Sequence, residues 1–528
     1  MLDWAIHTKN GVSKFLSLGN KMDIDEADAI EYFGKDDDTK VIGIYTEGIA
    51  DGKRFMESVS NTDKPIVVLK AGRSAAGSVA ASSHTGALSG SDSVYDAVFE
   101  RLNIIRVNDL DGMFDALSAI SLSIPMQKEG VAVITNAGGL GVMAADACSD
   151  NIGISLASLS LETEDMIREK VPSVASTHNP IDVRGDATSD MITDALSMAA
   201  EDENVGAAVV LSSPVDTADL RAAASAISAM KDKLKIPVTA AFAGGRECES
   251  AISILRDNGV PSYPSPDRAV RALSYLRRSQ TSRRRIDDTP LPAASGRQVV
   301  LKLIDIAKNE FRSSLSEEEG KSILSAYGIP VPPEILTVSP REALAAAESI
   351  GYPVVMKIVS PDIQHKTDIG GVIVNITAPE GVREAFESLT VRCRTAVPDA
   401  KIDGISVQKM ASGQEVILSM IRDDQFGPVL AFGLGGIYVE IIGEISRSLI
   451  PMSDADMDKM IMSSKAYRML SGARGRPPAD IDSLKEIMTG MMRIALDNPE
   501  IYELEINPVM IGKKNEGSWA VDALTTLR

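Results

Sequence analysis

A histidine lies among small residues at the start of a helical pattern in the stretch SSHTGALSGSDSVYDAVFE, residues 82–100. This residue, His84, is one of only four histidines in 528 residues. The small neighbours leave room for a bulky group on the imidazole, and the free N–H groups at a helix start favour a bound anion. The simpler alternative is a helix-start histidine with a satisfied hydrogen bond, which is the commoner role of a lone histidine.

A carboxylate at the end of a predicted strand strengthens the chemical interpretation of His84. Glu47 ends the apolar run KVIGIYTEG, and in open α/β sheets ligands gather at the carboxyl ends of the strands. Such a carboxylate would accept a hydrogen bond from one imidazole nitrogen and make the other nitrogen more nucleophilic. The pair therefore predicts a histidine that carries a phosphoryl group, with Gly86 in its phosphate-binding turn.

A second glycine-rich turn follows the strand in ITNAGGLGV. Asn136, Gly138 and Gly139 would let the backbone approach a phosphate closely. By itself this pattern is weak evidence, because many strand-to-helix turns are rich in glycine for packing reasons.

A lysine interrupts an apolar strand in YPVVMKIVSPDIQHKTDIGGV, residues 352–372. Lys357 is costly to bury unless an anion meets its charge, and a nucleotide phosphate is the natural candidate. His365 follows in a polar loop, where a solvated histidine is the preferred interpretation without further context.

Two predicted strands are joined by a short hinge in VQKMASGQEVILSM. The backbone at Lys409 and Met410 could contact an adenine edge, and Glu415 could face the ribose or a cation.

Oxygen donors converge near the C-terminus in ELEINPV and AVDAL. Glu505, Asn507 and Asp522 lie on neighbouring apolar strands, and Mg²⁺ prefers carboxylate and amide oxygens. A buried salt-bridge cluster is the alternative, although these segments contain no basic residue.

Composition narrows the class of protein. A net charge of -20 and an aromatic content of 4% argue against a nucleic-acid-binding surface. No apolar run approaches the ~20 residues of a membrane span, and the first residues do not resemble a signal peptide. Three widely separated cysteines fit a reducing compartment, so we expect a cytoplasmic protein without nucleic-acid or membrane partners.

The order of predicted strands and helices indicates an α/β chain of several domains. Bounded apolar runs alternate with helical patterns through residues 1–125 and again through 126–285, which predicts two doubly wound domains. A basic, proline-containing stretch precedes the last part of the chain, so residues 286–312 are predicted to be a linker. Residues 313–528 are mostly strands, which predicts an α+β domain with antiparallel sheet.

These motifs together, with ASSHTGALSGSD, HNPIDVRGDAT and FGPVLAFGLGGIYVE, resemble those of the NDP-forming acyl-CoA synthetases, the succinyl-CoA synthetase superfamily. The fused ADP-forming acetate–CoA ligases are the most similar subgroup. The resemblance implies two flavodoxin-like ligase domains followed by an ATP-grasp domain. It also implies residue roles. His84 would carry the phosphoryl group and Glu47 would orient His84, while Lys357 would bind a nucleotide phosphate. Asn507 and Asp522 would bind Mg²⁺, and His365 would relay the phosphoryl group.

The implied reaction converts acyl-CoA, ADP and phosphate to a carboxylic acid, CoA and ATP, and back. Fused members of the family begin with a CoA-binding domain of roughly 120 to 150 residues. The resemblance of this chain starts after that domain, so we expect either a separate CoA-binding domain or subunit, in an oligomer, or a truncated reading frame. The alternatives are a relative of the CoA-dependent protein acetyltransferases and a non-catalytic nucleotide or acyl-CoA sensor. The presence of His84, Glu47 and Lys357 argues against both.

Overall fold

The chain divides into two compact units, Met1–Arg285 and Ile286–Arg528. The computed structural model describes residues 1–74, 76, 91–150, 153–215, 218–281, 296–360, 362, 363, 366, 369–435, 445–472, 475 and 477–528. Every helix within these ranges is too short or too polar to cross a lipid bilayer.

The first part of the first unit contains a parallel sheet in the order β1-β2-β3. Its elements are α1 Leu2–His7, α2 Glu26–Lys35, β1 Ile42–Thr46, α3 Gly52–Ser60, β2 Ile66–Lys70, α4 Asp92–Arg101, β3 Ile105–Val107 and α5 Leu110–Leu122. All five residues of β2 are buried, as is typical of a parallel strand with both faces covered. Side chains that cap the helix starts, such as Asp51 and Asp109, fix where the chain leaves each loop.

The second part of this unit contains a parallel sheet in the order β5-β4-β7-β8-β9, with β6 also paired to β4. Its strands are β4 Gly130–Thr135, β5 Ser155–Leu156, β6 Ile181–Asp182, β7 Ala207–Ser212, β8 Val238–Phe242 and β9 Ser262–Tyr263. Its helices are α6 Gly138–Cys148, α7 Leu161–Arg168, α8 Ser189–Glu201, α9 Leu220–Met230, α10 Arg246–Asp257 and α11 Pro266–Ser279, with a short 3₁₀ helix at Lys231–Lys233. Apolar cores lie on both faces of the sheet, so its central strands are continuous apolar runs.

The second unit is built from two antiparallel sheets. We call the first the small lobe: it has strand order β11-β14-β12-β13. Its elements are β11 Glu334–Thr337, α14 Pro340–Ile350, β12 Val354–Val359, β13 Val372–Ile376, α15 Pro379–Ala396 and β14 Gly404–Lys409. Helices α14 and α15 bury their apolar faces against this sheet.

We call the rest of this unit the large lobe. Its sheet has the order β10-β20-β18-β15-β16-β17, with β19 also paired to β18. Its strands are β10 Ser314–Leu315, β15 Gln414–Asp423, β16 Gly427–Leu434, β17 Ile445–Leu449, β18 Ile501–Ile511, β19 Ser518–Ala520 and β20 Leu524–Leu527. Its helices are α12 Arg297–Asn309, α13 Glu317–Ala326, α16 Asp454–Ser463, α17 Ala466–Leu470 and α18 Ile481–Asp497. The hinge 410–413 joins β14 of the small lobe to β15 of the large lobe.

The expectation of a linker at 286–312 is wrong for part of that range. Residues 297–309 form helix α12, and its Val300, Ile304 and Ala307 are buried in the core of the large lobe. These three positions recur every three or four residues and so face the same side of the helix. Val299, Leu301 and Ile306 on the rest of the helix surface are exposed, so apolar residues occur all round the helix and do not mark a single buried face in the sequence.

All three cysteines are free and buried. Each belongs to a helix: Cys148 to α6, Cys248 to α10 and Cys393 to α15. Burial raises the pKa of all three thiols, and that of Cys148 to about 11.

Candidate functional site

Glu47 follows the last residue of β1, at the carboxyl edge of the first parallel sheet. One of its carboxylate oxygens, Oε2, is buried and has no hydrogen-bond partner among the residues that the structure describes. Burial and then the nearby Glu47 carboxylate raise the pKa of Tyr45. A buried acceptor without a partner is costly, so this oxygen is suited to receive a donor such as an imidazole N–H.

A lysine that the sequence did not point to lies at the same edge. Lys70 ends β2 and is only 1% exposed. Its Nζ donates to the carbonyl of Ala71 at 2.8 Å and lies 4.6 Å from the centre of the Tyr95 ring. Burial lowers the pKa of Lys70. Lys70 could have been recognised from the sequence in the same way as Lys357, because it is a lysine in an otherwise apolar strand.

A cavity of about 640 Å³ opens at this edge. Tyr45, Lys70, Arg73, Asp92 and Asn108 contribute to its lining. Arg73 donates to Asn108 Oδ1 at 2.5 Å and lies 3.6 Å from Asp92. The carboxyl edge of the first sheet therefore presents both cationic and anionic groups to solvent. His84 and Gly86 lie outside the described residues.

The second glycine-rich turn has a clear structural role. Asn136 is buried and bonds the backbone of Ser213 in both directions, from Nδ2 to the carbonyl at 3.0 Å and from the Ser213 N–H to Oδ1 at 2.8 Å. These two bonds tie the end of β4 to the end of β7. Helix α6 starts at Gly138, where a Cβ would lie 3.0 Å from Asp182 Oδ2, whereas Gly139 faces open space.

Lys357 lies on β12 where the small lobe meets the large lobe. It is 5% exposed, and its Nζ is 3.3 Å from Glu317 Oε1, 3.2 Å from the carbonyl of Val521 and 4.0 Å from Asp522 Oδ2. The expected anion is thus supplied in the free protein by carboxylates of the large lobe. The sequence placed no basic residue beside Asp522, because this lysine comes from a distant strand.

The predicted hinge contacts the start of the same strand. Lys409 Nζ donates to the carbonyls of Gly351 and Tyr352 at 2.7 and 3.1 Å, and the backbone N–H of Met410 donates to Pro353 at 3.2 Å. Strand pairing places Lys409 opposite Val354, three residues before Lys357 on β12. Glu415 lies on β15 with its side chain exposed.

The three predicted oxygen donors lie close together in the large lobe. The carbonyl of Pro508 accepts a hydrogen bond from the Val521 N–H at 3.1 Å, which brings Asn507 of β18 close to Asp522, in the segment between β19 and β20. Asn507 Nδ2 is 3.5 Å from Glu505 Oε1. Burial raises the pKa of Glu505 and of Asp522, and the nearby carboxylates of Glu503 and Asp522 also raise the pKa of Glu505.

These oxygens suit a hard cation better than a transition metal. No three histidine, cysteine or acidic side chains gather as a metal site within the described part of the chain. Mg²⁺ is commonly held by one or two carboxylates together with substrate phosphates and water, which this smaller donor set allows. His365 lies outside the described residues.

Two domains with parallel sheets and a two-lobed unit with antiparallel sheets fit the class of nucleotide-dependent ligases. Three family models agree with this class: a succinyl-CoA ligase-like flavodoxin domain at residues 1–120, a ligase-CoA domain at 131–282 and an ATP-grasp domain at 306–527. The ATP-grasp and flavodoxin-like architecture predicted from the sequence is confirmed.

Comparison of full sequences narrows the class to one family. The ADP-forming acetate–CoA ligase I of Archaeoglobus fulgidus is 39% identical over 520 residues, which is 97% of this chain and 74% of that protein. The chain belongs to the family of ADP-forming acyl-CoA ligases, and it is an acid–thiol ligase. The predicted resemblance and enzyme class are thus confirmed.

A two-subunit relative and a solved structure extend the comparison. In Pyrococcus furiosus, the β subunit of ADP-forming acetate–CoA ligase I is 46% identical over 222 residues, 42% of this chain and 94% of the subunit. The α subunit is 39% identical over 280 residues, 52% of this chain and 60% of the subunit. The acetyl-coenzyme A synthetase 1 of Ca. Korarchaeum cryptofilum, solved with phosphate and ADP, is 35% identical with a TM-score of 0.50. That match covers 52% of this chain and 61% of the solved chain.

Proposed function

We propose that this ligase works through a phosphohistidine at His84. The observation that carries the proposal is the buried, unpartnered oxygen of Glu47 at the carboxyl edge of the first sheet. A carboxylate in that position fixes the tautomer of a histidine and leaves its other nitrogen free to attack phosphorus.

The proposed reaction has three steps. A phosphate oxygen attacks the thioester carbon of acyl-CoA, the C–S bond breaks, and the proton of phosphate passes to the CoA thiolate. An imidazole nitrogen of His84 attacks the phosphorus of the resulting acyl phosphate, and the carboxylic acid leaves as its carboxylate. An oxygen of the terminal phosphate of ADP then attacks the phosphohistidine, the P–N bond breaks and ATP forms.

Charge neutralisation supports the first two steps. Gly86, Gly138 and Gly139 would offer backbone N–H groups to phosphate, while Asn136 holds the second turn in shape. Lys70 adds a buried positive charge near Glu47. Positioning and charge neutralisation account for most of the catalysis of phosphoryl transfer.

The nucleotide would bind between the two lobes of the second unit. In this proposal Lys357 meets its phosphates, the backbone at Lys409 and Met410 lies along its adenine, and Glu415 reaches its ribose. The support is that the hinge and Lys357 lie on adjacent, paired strands of the small lobe. In a relay through His365, its imidazole nitrogen would attack the phosphorus on His84, the P–N bond at His84 would break, and ADP would then attack phosphorylated His365 in the last step.

Asn507 and Asp522 would hold Mg²⁺, with Glu505 close by. When bound, this ion neutralises phosphate oxygens and orients them for in-line transfer. The raised pKa of the buried Asp522 carboxyl supports the assignment, because a cation would relieve the cost of its burial.

Coenzyme A would be held together with a separate CoA-binding domain or subunit, in an oligomer. The support is the relative from Pyrococcus furiosus, in which the enzyme consists of α and β subunits. We also place the protein in the cytoplasm, because its three cysteines are free.

The reaction is tested by following ATP formation from ADP and phosphate with a panel of short acyl-CoA thioesters. A CoA-binding subunit of a relative is supplied in a parallel series. We expect ATP to form with at least one thioester, and the same acid to release ADP from ATP in the reverse direction. If ATP appears only with AMP formation, or if no thioester supports it in either series, the proposed reaction is wrong.

We expect Lys357→Ala to weaken ADP binding by about 10- to 100-fold, because the phosphates lose a charge-assisted contact of roughly 1.5–3 kcal/mol. Titration calorimetry with ADP measures the effect. Lys459→Ala, on helix α16 of the large lobe, is the control and should leave the affinity unchanged. Equal ADP affinity in the wild type and in Lys357→Ala would contradict the assignment of Lys357.

We expect Asn507→Ala and Asp522→Asn to raise the Mg²⁺ concentration needed for half-maximal activity, with the larger shift for Asp522→Asn because it removes a charged ligand. Activity is titrated with Mg²⁺ at a fixed total concentration of nucleotide. An unchanged Mg²⁺ requirement in both variants would show that neither Asn507 nor Asp522 binds the metal.

A further inference from the structure

Three lysines converge on one carboxylate at the junction of the two lobes. Glu317 Oε1 is 2.6 Å from Lys321 Nζ and 3.3 Å from Lys357 Nζ, and Glu317 Oε2 contacts Lys366 Nζ. Although burial opposes ionisation, the lysines, Lys357 foremost, hold the pKa of Glu317 well below its usual range. Glu317 is therefore a permanent anion at neutral pH.

The cluster joins the two lobes. Glu317 and Lys321 belong to α13 of the large lobe, whereas Lys357 and Lys366 come from β12 and the loop that follows it in the small lobe. Lys321 also bonds Glu334 of β11 at 2.5 Å. With Asp522 beside Lys357, three cationic side chains face three anionic ones, so the cluster is balanced in the free protein.

In the proposed nucleotide site, a phosphate must compete with the groups that already surround Lys357. The Nζ of Lys357 has three N–H donors, and Glu317, the Val521 carbonyl and Asp522 lie around it. Asp522, at 4.0 Å, forms an ion pair without a hydrogen bond, so a phosphate oxygen that approaches Lys357 competes mainly with the two acceptors that are hydrogen-bonded to it. The Val521 carbonyl is part of the backbone and is also bonded by Gln408 Nε2 at 3.2 Å, so it is the least free to move.

Glu317 is the acceptor whose displacement changes the cluster most. Asp522 is farther from Lys357, at 4.0 Å, and Glu334 contacts only Lys321 within the cluster. Glu317 is shared by all three lysines, so it neutralises both Lys357 and Lys366 at once. A nucleotide that brings its own negative charge would compete directly with this carboxylate.

We propose that Glu317 is an internal anion that competes with the nucleotide phosphates for Lys357 and Lys366, and that it thereby limits nucleotide affinity. The inference rests on the nucleotide site proposed above. Without a nucleotide, Glu317 holds the lysines in position and balances their positive charge, and it releases them when phosphates bind. Such competition favours release of the nucleotide after each turnover.

The test is calorimetric titration of Glu317→Gln with MgADP and, separately, with inorganic pyrophosphate. The amide keeps the shape of the side chain and removes its charge, while the Val521 carbonyl and Asp522 still position Lys357. We expect both ligands to bind about tenfold tighter, because Lys357 loses a charged competitor. Glu318→Gln is the matched control, because Glu318 is the next residue of the same helical turn, carries the same charge and is exposed. The Glu318→Gln variant should bind both ligands with the affinity of the wild type.

Glu317→Asp provides a second arm in case Glu317→Gln does not fold. It keeps the negative charge at the helix start but withdraws the carboxylate by one methylene group, so we expect a smaller gain, about threefold, in ADP affinity. If the wild type binds ADP and this variant binds it equally or more weakly, the inference about Glu317 is wrong, while the proposed nucleotide site still stands. If the wild type binds no ADP, both the inference about Glu317 and the proposed nucleotide site are wrong.

Discussion

Incubation of the His84→Ala variant with radiolabelled ATP and Mg²⁺ is expected to yield no phosphoenzyme, and ligase turnover should fall to background. The wild type should give a phosphoprotein that is stable to base and labile to acid, as a phosphoramidate is. Substitution removes the nucleophile itself, so the loss cannot be compensated by tighter binding.

His178→Ala is the control for this experiment. Its imidazole is exposed and bonds Glu164 Oε1 at 2.7 Å, which is a surface contact. This variant should label and turn over as the wild type does. Full ligase turnover by purified His84→Ala would refute the phosphohistidine mechanism, whatever the behaviour of the control.

Glu47→Gln should lower the rate of phosphoenzyme formation by about 100-fold or more, because an amide neither stabilises the charged imidazole nor selects the same tautomer. Quench-flow measurement of labelling separates this effect from nucleotide binding. In the proposed mechanism Glu47 acts through the histidine and ADP binds in the second unit, so the affinity for ADP should stay constant. The pH dependence of labelling should also change, since the carboxylate no longer favours the protonated imidazole.

Glu57→Gln serves as the matched control, because Glu57 is an exposed residue of α3 in the same domain. Glu47→Asp should restore part of the labelling rate. If Glu47→Gln labels as fast as Glu57→Gln, the buried oxygen of Glu47 has another purpose and the histidine is oriented by a different group.

The architecture was predictable where local pattern determines structure. The run PIVVLKAG contains β2, and the turn in ITNAGGLGV ends β4 and begins α6, as the strand and helix periodicities indicate. Helix α12 was missed because its buried positions are only three of thirteen residues. The segment also contains apolar residues that stay exposed, such as Val299, Leu301 and Ile306, so the face that packs against the large lobe is not evident from the sequence.

Single residues of the candidate site could be predicted from the sequence, but their contacts with one another could not. Lys357 was recognised from its apolar strand, yet its partner Glu317 lies forty positions earlier, in an acidic helix start that is typical of ordinary capping. The structure gives the three acidic residues there different surroundings. Glu319 completes the capping box with Ser316 and pairs with Arg312, Glu318 is exposed, and Glu317 turns inward to the lysines. Such differences depend on how the two lobes dock, which no local pattern encodes.

The burial of the three thiols makes this chain convenient for optical work. A thiol with its pKa raised to about 11, as for Cys148, is almost entirely protonated at neutral pH, and maleimides react with the thiolate. Cys248 and Cys393 are shielded in the same way. The native cysteines should therefore react only slowly with thiol-reactive dyes. A pair of cysteines introduced on exposed helices, one in each unit, would then be labelled selectively. Energy transfer between the dyes would then measure the distance between the two labelled positions without removal of any native side chain.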